Sequence, residues 1–151
     1  MKAELIAPCG MNCALCSAYL SFAHDMKSKG VRISACKGCR PRGKNCAFLK
    51  KKCERLQSGK VDFCYACPEF PCDRLQHLDK RYRTLFRMSM VENGRFIKEH
   101  GMADFLESQA AQWRCPQCGG VICCHNGICY NCSLEKLKQK KLKYRWEEVS
   151  K

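Results

Sequence analysis

Sixteen cysteines in 151 residues constrain this chain more than any hydrophobic pattern does. Ten lie between Cys9 and Cys72, six between Cys115 and Cys132, and none in residues 73–114. Cysteine at this density either staples a small fold through disulfides or gathers metal ions. The opening MKAELIAPCG lacks the apolar run of a signal peptide, and no stretch reaches the roughly 20 apolar residues of a membrane span. The expectation is a cytoplasmic chain with no membrane contact. In that reducing compartment repeated Cys-x2-Cys pairs act as metal ligands.

The strongest pattern is CPQCGGVICCHNGICYNC, in which Cys115-x2-Cys118 and Cys129-x2-Cys132 bracket ten residues. Each Cys-x2-Cys turn offers two thiolates on one side, and two such knuckles complete a tetrahedral zinc shell. Residues 114–132 are therefore expected to form a zinc ribbon with a short β-hairpin. Cys123, Cys124 and His125 lie between the knuckles. Cys123 reads as a packing residue and Cys124 as an exposed thiol; an exchange of one of these three for a knuckle ligand stays open.

The N-terminal thiols cluster as Cys9, Cys13 and Cys16; Cys36 and Cys39; Cys46 and Cys53; and Cys64, Cys67 and Cys72. One partition joins Cys9, Cys13 and Cys16 to Cys72 and sets Cys36 and Cys39 against Cys64 and Cys67, leaving Cys46 and Cys53 unassigned. Zinc, two to three ions in all, is the expected metal, with one [4Fe-4S] cluster in this module as the alternative. Cys9-x3-Cys13-x2-Cys16 resembles the cluster loop of radical S-adenosylmethionine enzymes, but their barrel needs roughly 200 to 250 residues. Cys36-x2-Cys39-x6-Cys46-x6-Cys53 resembles the first four ligands of fungal binuclear zinc-cluster domains. That match stops there, because the next cysteine pair arrives too late.

Periodicity supplies the helices. Leu75, Leu78, Tyr82, Leu85 and Phe86 form an amphipathic stripe after Pro71 and Cys72, a helix spans about 89–100 and stops at Gly101, and Met102, Phe105, Leu106, Ala110 and Trp113 form a second stripe. Residues 13–28, capped by Asn12, and 46–57, capped by Asn45, read as further helices. A continuous 46–57 helix would hold Cys46 and Cys53 about 10 Å apart, too far for one ion.

Taken together, CGMNCALCSAY, CKGC, FCYACPEFPC and WRCPQCGGVICCHNGICYNC resemble a prokaryotic family of small cysteine-rich proteins known as a domain of unknown function and held to bind zinc. The likeness spans residues 9 to about 132. It implies metal binding at the matching cysteines and brings no particular activity.

The net charge is +14. Residues 37–60 carry nine basic groups and one acid, and residues 133–151 carry seven against three. Four thiolates around each divalent ion leave a charge of −2, so three such sites would offset about six units. The rest suits RNA or DNA, bound through residues 37–60 and 133–146, with Tyr144 and Trp146 able to stack on bases or to dock the tail. A protein partner is the other expectation.

The reading is a small metal-stapled α+β protein. It comprises a mostly helical cysteine-rich module (1–72), a helical connector (73–113), the zinc ribbon (114–132) and a basic helical tail (133–151). The expected role is a zinc-binding interaction module for nucleic acid or a protein partner. The alternative is an iron–sulfur redox or sulfur-handling enzyme using Cys9, Cys13 and Cys16. A third role, metal or thiol sensing, would use an exposed Cys124. No catalytic triad, phosphate loop or carboxylate pair is present, so enzymatic activity stays open.

Overall fold

The computed structural model describes residues 1–42 and 50–147. Asn45 and Cys46 lie outside the described residues. The α-helices are α1 (Ser17–Ala23), α2 (Glu54–Gln57), α3 (Asp73–Phe86), α4 (Met90–His100), α5 (Met102–Gln112) and α6 (Leu134–Gln139), joined by loops and short 3-10 turns.

The central helices follow their punctuation. Ser89 caps α4 by accepting the Glu92 N–H at 3.0 Å, and Gly101, at φ +87°, ends it. Asp79, buried on α3, accepts from Ser89 Oγ at 2.8 Å, from the Val91 N–H at 3.1 Å and from Arg83 Nε at 2.8 Å. One carboxylate thus satisfies the start of α4 and locks α3 to it. The stripes are only partly right: Leu85 and Ala110 are exposed, while Asp79 and Gln109 are buried.

The helix expected over 13–28 is broken. Asn12 does cap, accepting the Ala14 N–H at 3.1 Å, but the turn it starts is the 3-10 segment Cys13–Leu15. Cys16 is then extended, and its sulfur accepts from the N–H groups of Tyr19 and Ala18 at the start of α1. The helix expected over 46–57 is likewise interrupted within its described part: Lys50–Lys52 is a 3-10 turn, Cys53 is extended, and Glu54–Gln57 is α-helical. The argument that kept Cys46 and Cys53 apart loses its premise.

The β-hairpin ribbon, and with it the α+β class, is not what the chain forms. The described residues are helical and contain no β-strand; residues 114–132 carry only the isolated antiparallel bridges Arg114↔Val121 and Ile122↔Cys129. The backbone explains this. The Cys124 N–H is spent on the Leu15 carbonyl at 2.9 Å, and Gly127 N–H turns back to the Cys123 carbonyl at 2.8 Å, so no ladder can extend.

Buried side chains join distant segments. The largest cluster contains Leu5, Leu15, Leu56, Leu75, Met90, Trp113 and Cys124. A second joins Leu20, Met26, Val31 and Ile33 to Cys123, Ile128, Tyr130 and Leu137. The basic tail is helical only over α6 and then folds back. Asn126 Nδ2 donates to the Lys143 carbonyl, and Trp146 Nε1 to the Cys124 carbonyl, each at 2.7 Å. Trp146 therefore docks the tail and is not held out for base stacking; Arg87 covers its ring at 4.1 Å. No helix among the described residues is long and apolar enough to cross a membrane.

Candidate metal centre

Two tight turns bring Cys115, Cys118, Cys129 and Cys132 together. All four sulfurs lie within 4.8 Å of one another, a group that could hold a metal ion. Cys115 Sγ and Cys132 Sγ are 3.6 Å apart, and Cys118 Sγ and Cys129 Sγ 3.5 Å. A disulfide is about 2.05 Å long, so neither pair is cross-linked. Four sulfurs each about 2.3 Å from one ion stand about 3.8 Å apart, close to what is found.

The backbone prepares these sulfurs for negative charge. Cys115 Sγ accepts from the N–H groups of Cys118 and Gln117, which lower its pKa. Cys118 is brought to about 6, first by the Asn131 side chain and then by the Gly120 N–H. Burial pushes Cys129 up to about 12 despite N–H bonds from Cys132 and Asn131. At Cys132 the Ser133 hydroxyl lowers the pKa, but the neighbouring Cys118 thiol helps raise it on balance. Two thiols lean towards ionisation and two away from it, because four thiolates this close repel unless a cation lies between them. The Gly120 position is crowded by the site: a Cβ there would meet Cys118 Sγ at 3.2 Å and Cys129 Sγ at 3.4 Å.

The quartet closes without Cys123, Cys124 or His125. Cys124 is fully buried and its thiol is pushed well up by that burial, so the exposed, reactive thiol expected there does not exist. Cys123, buried beside Tyr130, packs as expected and is pushed up to about 12 by desolvation. His125 is not among the quartet's ligands, and its Nδ1 lies 3.8 Å from Cys124 Sγ. Its Nδ1 accepts the Ser17 N–H at 3.1 Å, and its ring meets the edges of Phe86 and Tyr82.

The N-terminal thiols are gathered more loosely; among the described residues, no three of them approach as closely as the quartet. Cys13 Sγ accepts the Cys39 N–H at 3.4 Å, and Cys16 feels Cys39 and Cys36. Cys36 Sγ accepts the Gly38 N–H at 3.4 Å and an Arg42 Nη1 bond at 3.3 Å. Burial first, and then Cys16, Cys124, Cys9 and Cys39, raise the Tyr82 phenol, which places that ring among four sulfurs. The opening loop is rigid: Gly10, at φ +94°, packs so close to α4 that a Cβ would lie 2.5 Å from the Met90 carbonyl.

Cys64, Cys67 and Cys72 follow a segment tied to the opening loop, where the Cys64 N–H donates to the Pro8 carbonyl at 2.8 Å. With Cys53 they line a cavity of about 640 Å³ beside α2 and the start of α3. Cys53, Cys64 and Cys72 also pack against the buried cluster that holds Cys9 and Cys13. Nothing in the ten-residue gap between Cys53 and Cys64 marks Cys53 as part of this group.

Residues 5–77 are similar to a family described as protein of unknown function (DUF3795). The match ends before the C-terminal quartet. Neither the curated proteins nor the solved structures contain a match to this chain.

Proposed function

We propose that this chain is a zinc-binding interaction module in which Cys115, Cys118, Cys129 and Cys132 hold one structural zinc ion. The observation that carries the reading is the pair of sulfur separations, 3.5 and 3.6 Å, near the edge of a zinc–thiolate tetrahedron. Zinc fits the donor set: four thiolates in a closed shell leave no position for water, so the ion supplies structure and no catalysis. Cys9, Cys13, Cys16, Cys36 and Cys39 form a second proposed ligand group. Its support is the same habit of N–H groups pointing at sulfur, at Cys16 and at Cys36.

The proposed partner is a nucleic acid, in a cytoplasmic setting that keeps these thiols reduced. Net charge supports it, and Lys141 and Arg145 are exposed on the docked tail. Part of that tail is internally neutralised, since Lys136 and Lys140 meet Glu147 at 3.2 and 3.7 Å and Lys138 meets Glu135 at 3.1 Å. Contact through phosphates, without base reading, is therefore the expected mode.

Two measurements test this reading. Zinc content of the purified chain should fall by one ion in the Cys118→Ser/Cys129→Ser variant. Affinity for a mixed-sequence polynucleotide should drop steeply with salt and weaken in Lys141→Glu/Arg145→Glu. An unchanged zinc content contradicts the metal assignment. Salt-independent binding, no binding, or capture only of a protein contradicts the nucleic-acid assignment.

A further inference from the structure

The cavity bounded by Cys53, Cys64, Cys67 and Cys72 is unlike the C-terminal quartet in the way that matters for metal chemistry. No three of these thiols come within 4.8 Å of one another, whereas the quartet closes to that distance. A single zinc with four thiolates fills its own tetrahedron and leaves no void. Here the thiols border an open volume of about 640 Å³. A polynuclear iron–sulfur group solves this geometry, because its irons are spread and each thiolate binds a separate corner.

The cavity wall sets Lys52, Arg55 and Arg74 against Glu54, Glu69 and Asp73, so what bears on a guest is which of these groups reach sulfur. Arg55 Nη1 donates to Cys67 Sγ at 3.4 Å, and the same guanidinium lies 3.6 Å from Glu69. Arg74 also lines the cavity and is tied back by its Nη1 bond to the Lys52 carbonyl. Cys72 caps α3, a helix of 14 residues, so its sulfur lies by the positive end of that dipole. The Cys64–Ala66 turn sets Cys64 and Cys67 side by side through the Cys67 N–H to Cys64 carbonyl bond at 3.0 Å. Four thiolates around a [4Fe-4S] core carry net negative charge, which the Arg55 bond to Cys67 and the start of α3 offset in part.

We propose that Cys53, Cys64, Cys67 and Cys72 ligate a [4Fe-4S] cluster in this cavity. This goes beyond the structural zinc reading and does not depend on it. It uses one thiol, Cys53, that spacing leaves without a role.

The test is anaerobic reconstitution of the full chain with ferric iron, sulfide and excess dithiothreitol, followed by iron, sulfide and zinc analysis. The expected result is a brown protein holding about four irons and four sulfides per chain, with visible absorption that bleaches on reduction. Cys53→Ser/Cys72→Ser should lose that iron while keeping the zinc of the quartet and its far-ultraviolet dichroism. Arg55→Gln leaves all four thiols in place, so it should still load iron and show a more negative midpoint potential. A wild-type chain that takes up no iron and sulfide overturns the proposal. So does retention of the cluster by Cys53→Ser/Cys72→Ser, or an unshifted potential in Arg55→Gln. The zinc reading is judged separately, by the zinc content of Cys118→Ser/Cys129→Ser.

Discussion

His125 is 8% exposed, and burial lowers its pKa to about 4, against about 6.5 for a solvated imidazole. Between those values the unfolded chain binds a proton that the folded chain refuses. Stability from this residue is therefore intact above pH 6.5 and falls as the pH drops towards 4, by roughly 3 kcal/mol at the acid end. His125→Asn keeps an acceptor for the Ser17 N–H but does not titrate. The acid limb of its stability profile should be shallower than that of the wild type by up to one proton, and an identical slope would contradict the buried neutral imidazole. Gly127 makes a second residue-scale test. It sits at φ +72°, and a Cβ there would lie 2.5 Å from the Trp146 ring. Gly127→Ala should cost roughly 2 kcal/mol in urea unfolding and speed tryptic cleavage of residues 134–145. Little of this was legible beforehand, since apart from the adjacent Cys124 the partners of His125 are Ser17, Phe86 and Tyr82, far from it in sequence. Proximity to cysteines suggested ligation where tertiary packing decides the role.

Among the elements, the junction of α3 and α4 is where the sequence was most readable. A helix over about 89–100 that stops at Gly101 is what the sequence predicts, and α4 follows it, with Ser89 accepting the Glu92 N–H at its start. The structure adds Asp79, whose buried carboxylate supports that same start. Ser89→Ala should cost about 1 kcal/mol, as loss of a cap does. Asp79→Ala should cost about 3 kcal/mol, because it strips partners from a buried hydroxyl and N–H. Urea denaturation of the two variants checks the order, and an Asp79→Ala loss no larger than that of Ser89→Ala would contradict this arrangement. The elements misread are those containing cysteine. Cys16 and Cys53 are extended where periodicity favoured helix, because Cys16 points its sulfur back at α1 and Cys53 borders the cavity. The expected hairpin fails for a related reason: the Cys124 N–H bonds to Leu15 and not to a neighbouring strand. Helix and strand propensity do not encode where sulfur must go.

At the scale of the molecule, both cysteine blocks share their buried clusters, with Leu15 packed in one core with Cys124 and Leu20 in another with Cys123 and Ile128. The C-terminal quartet was legible from spacing alone as a group that could hold a metal, whereas this mutual burial was not, since it rests on contacts between distant segments. Loss of the proposed zinc should therefore spread beyond residues 114–132. A strong chelator is expected to raise amide exchange there and also in α1, and to lower the melting temperature. Exchange confined to the quartet would show that the blocks fold independently. The most direct test of the central claim is titration of the reduced full chain with cobalt(II), comparing wild type with Cys118→Ser/Cys129→Ser. The account predicts visible bands of tetrahedral thiolate cobalt, one equivalent of which disappears in the variant. Bands of equal strength in both proteins, or none in the wild type, would contradict it.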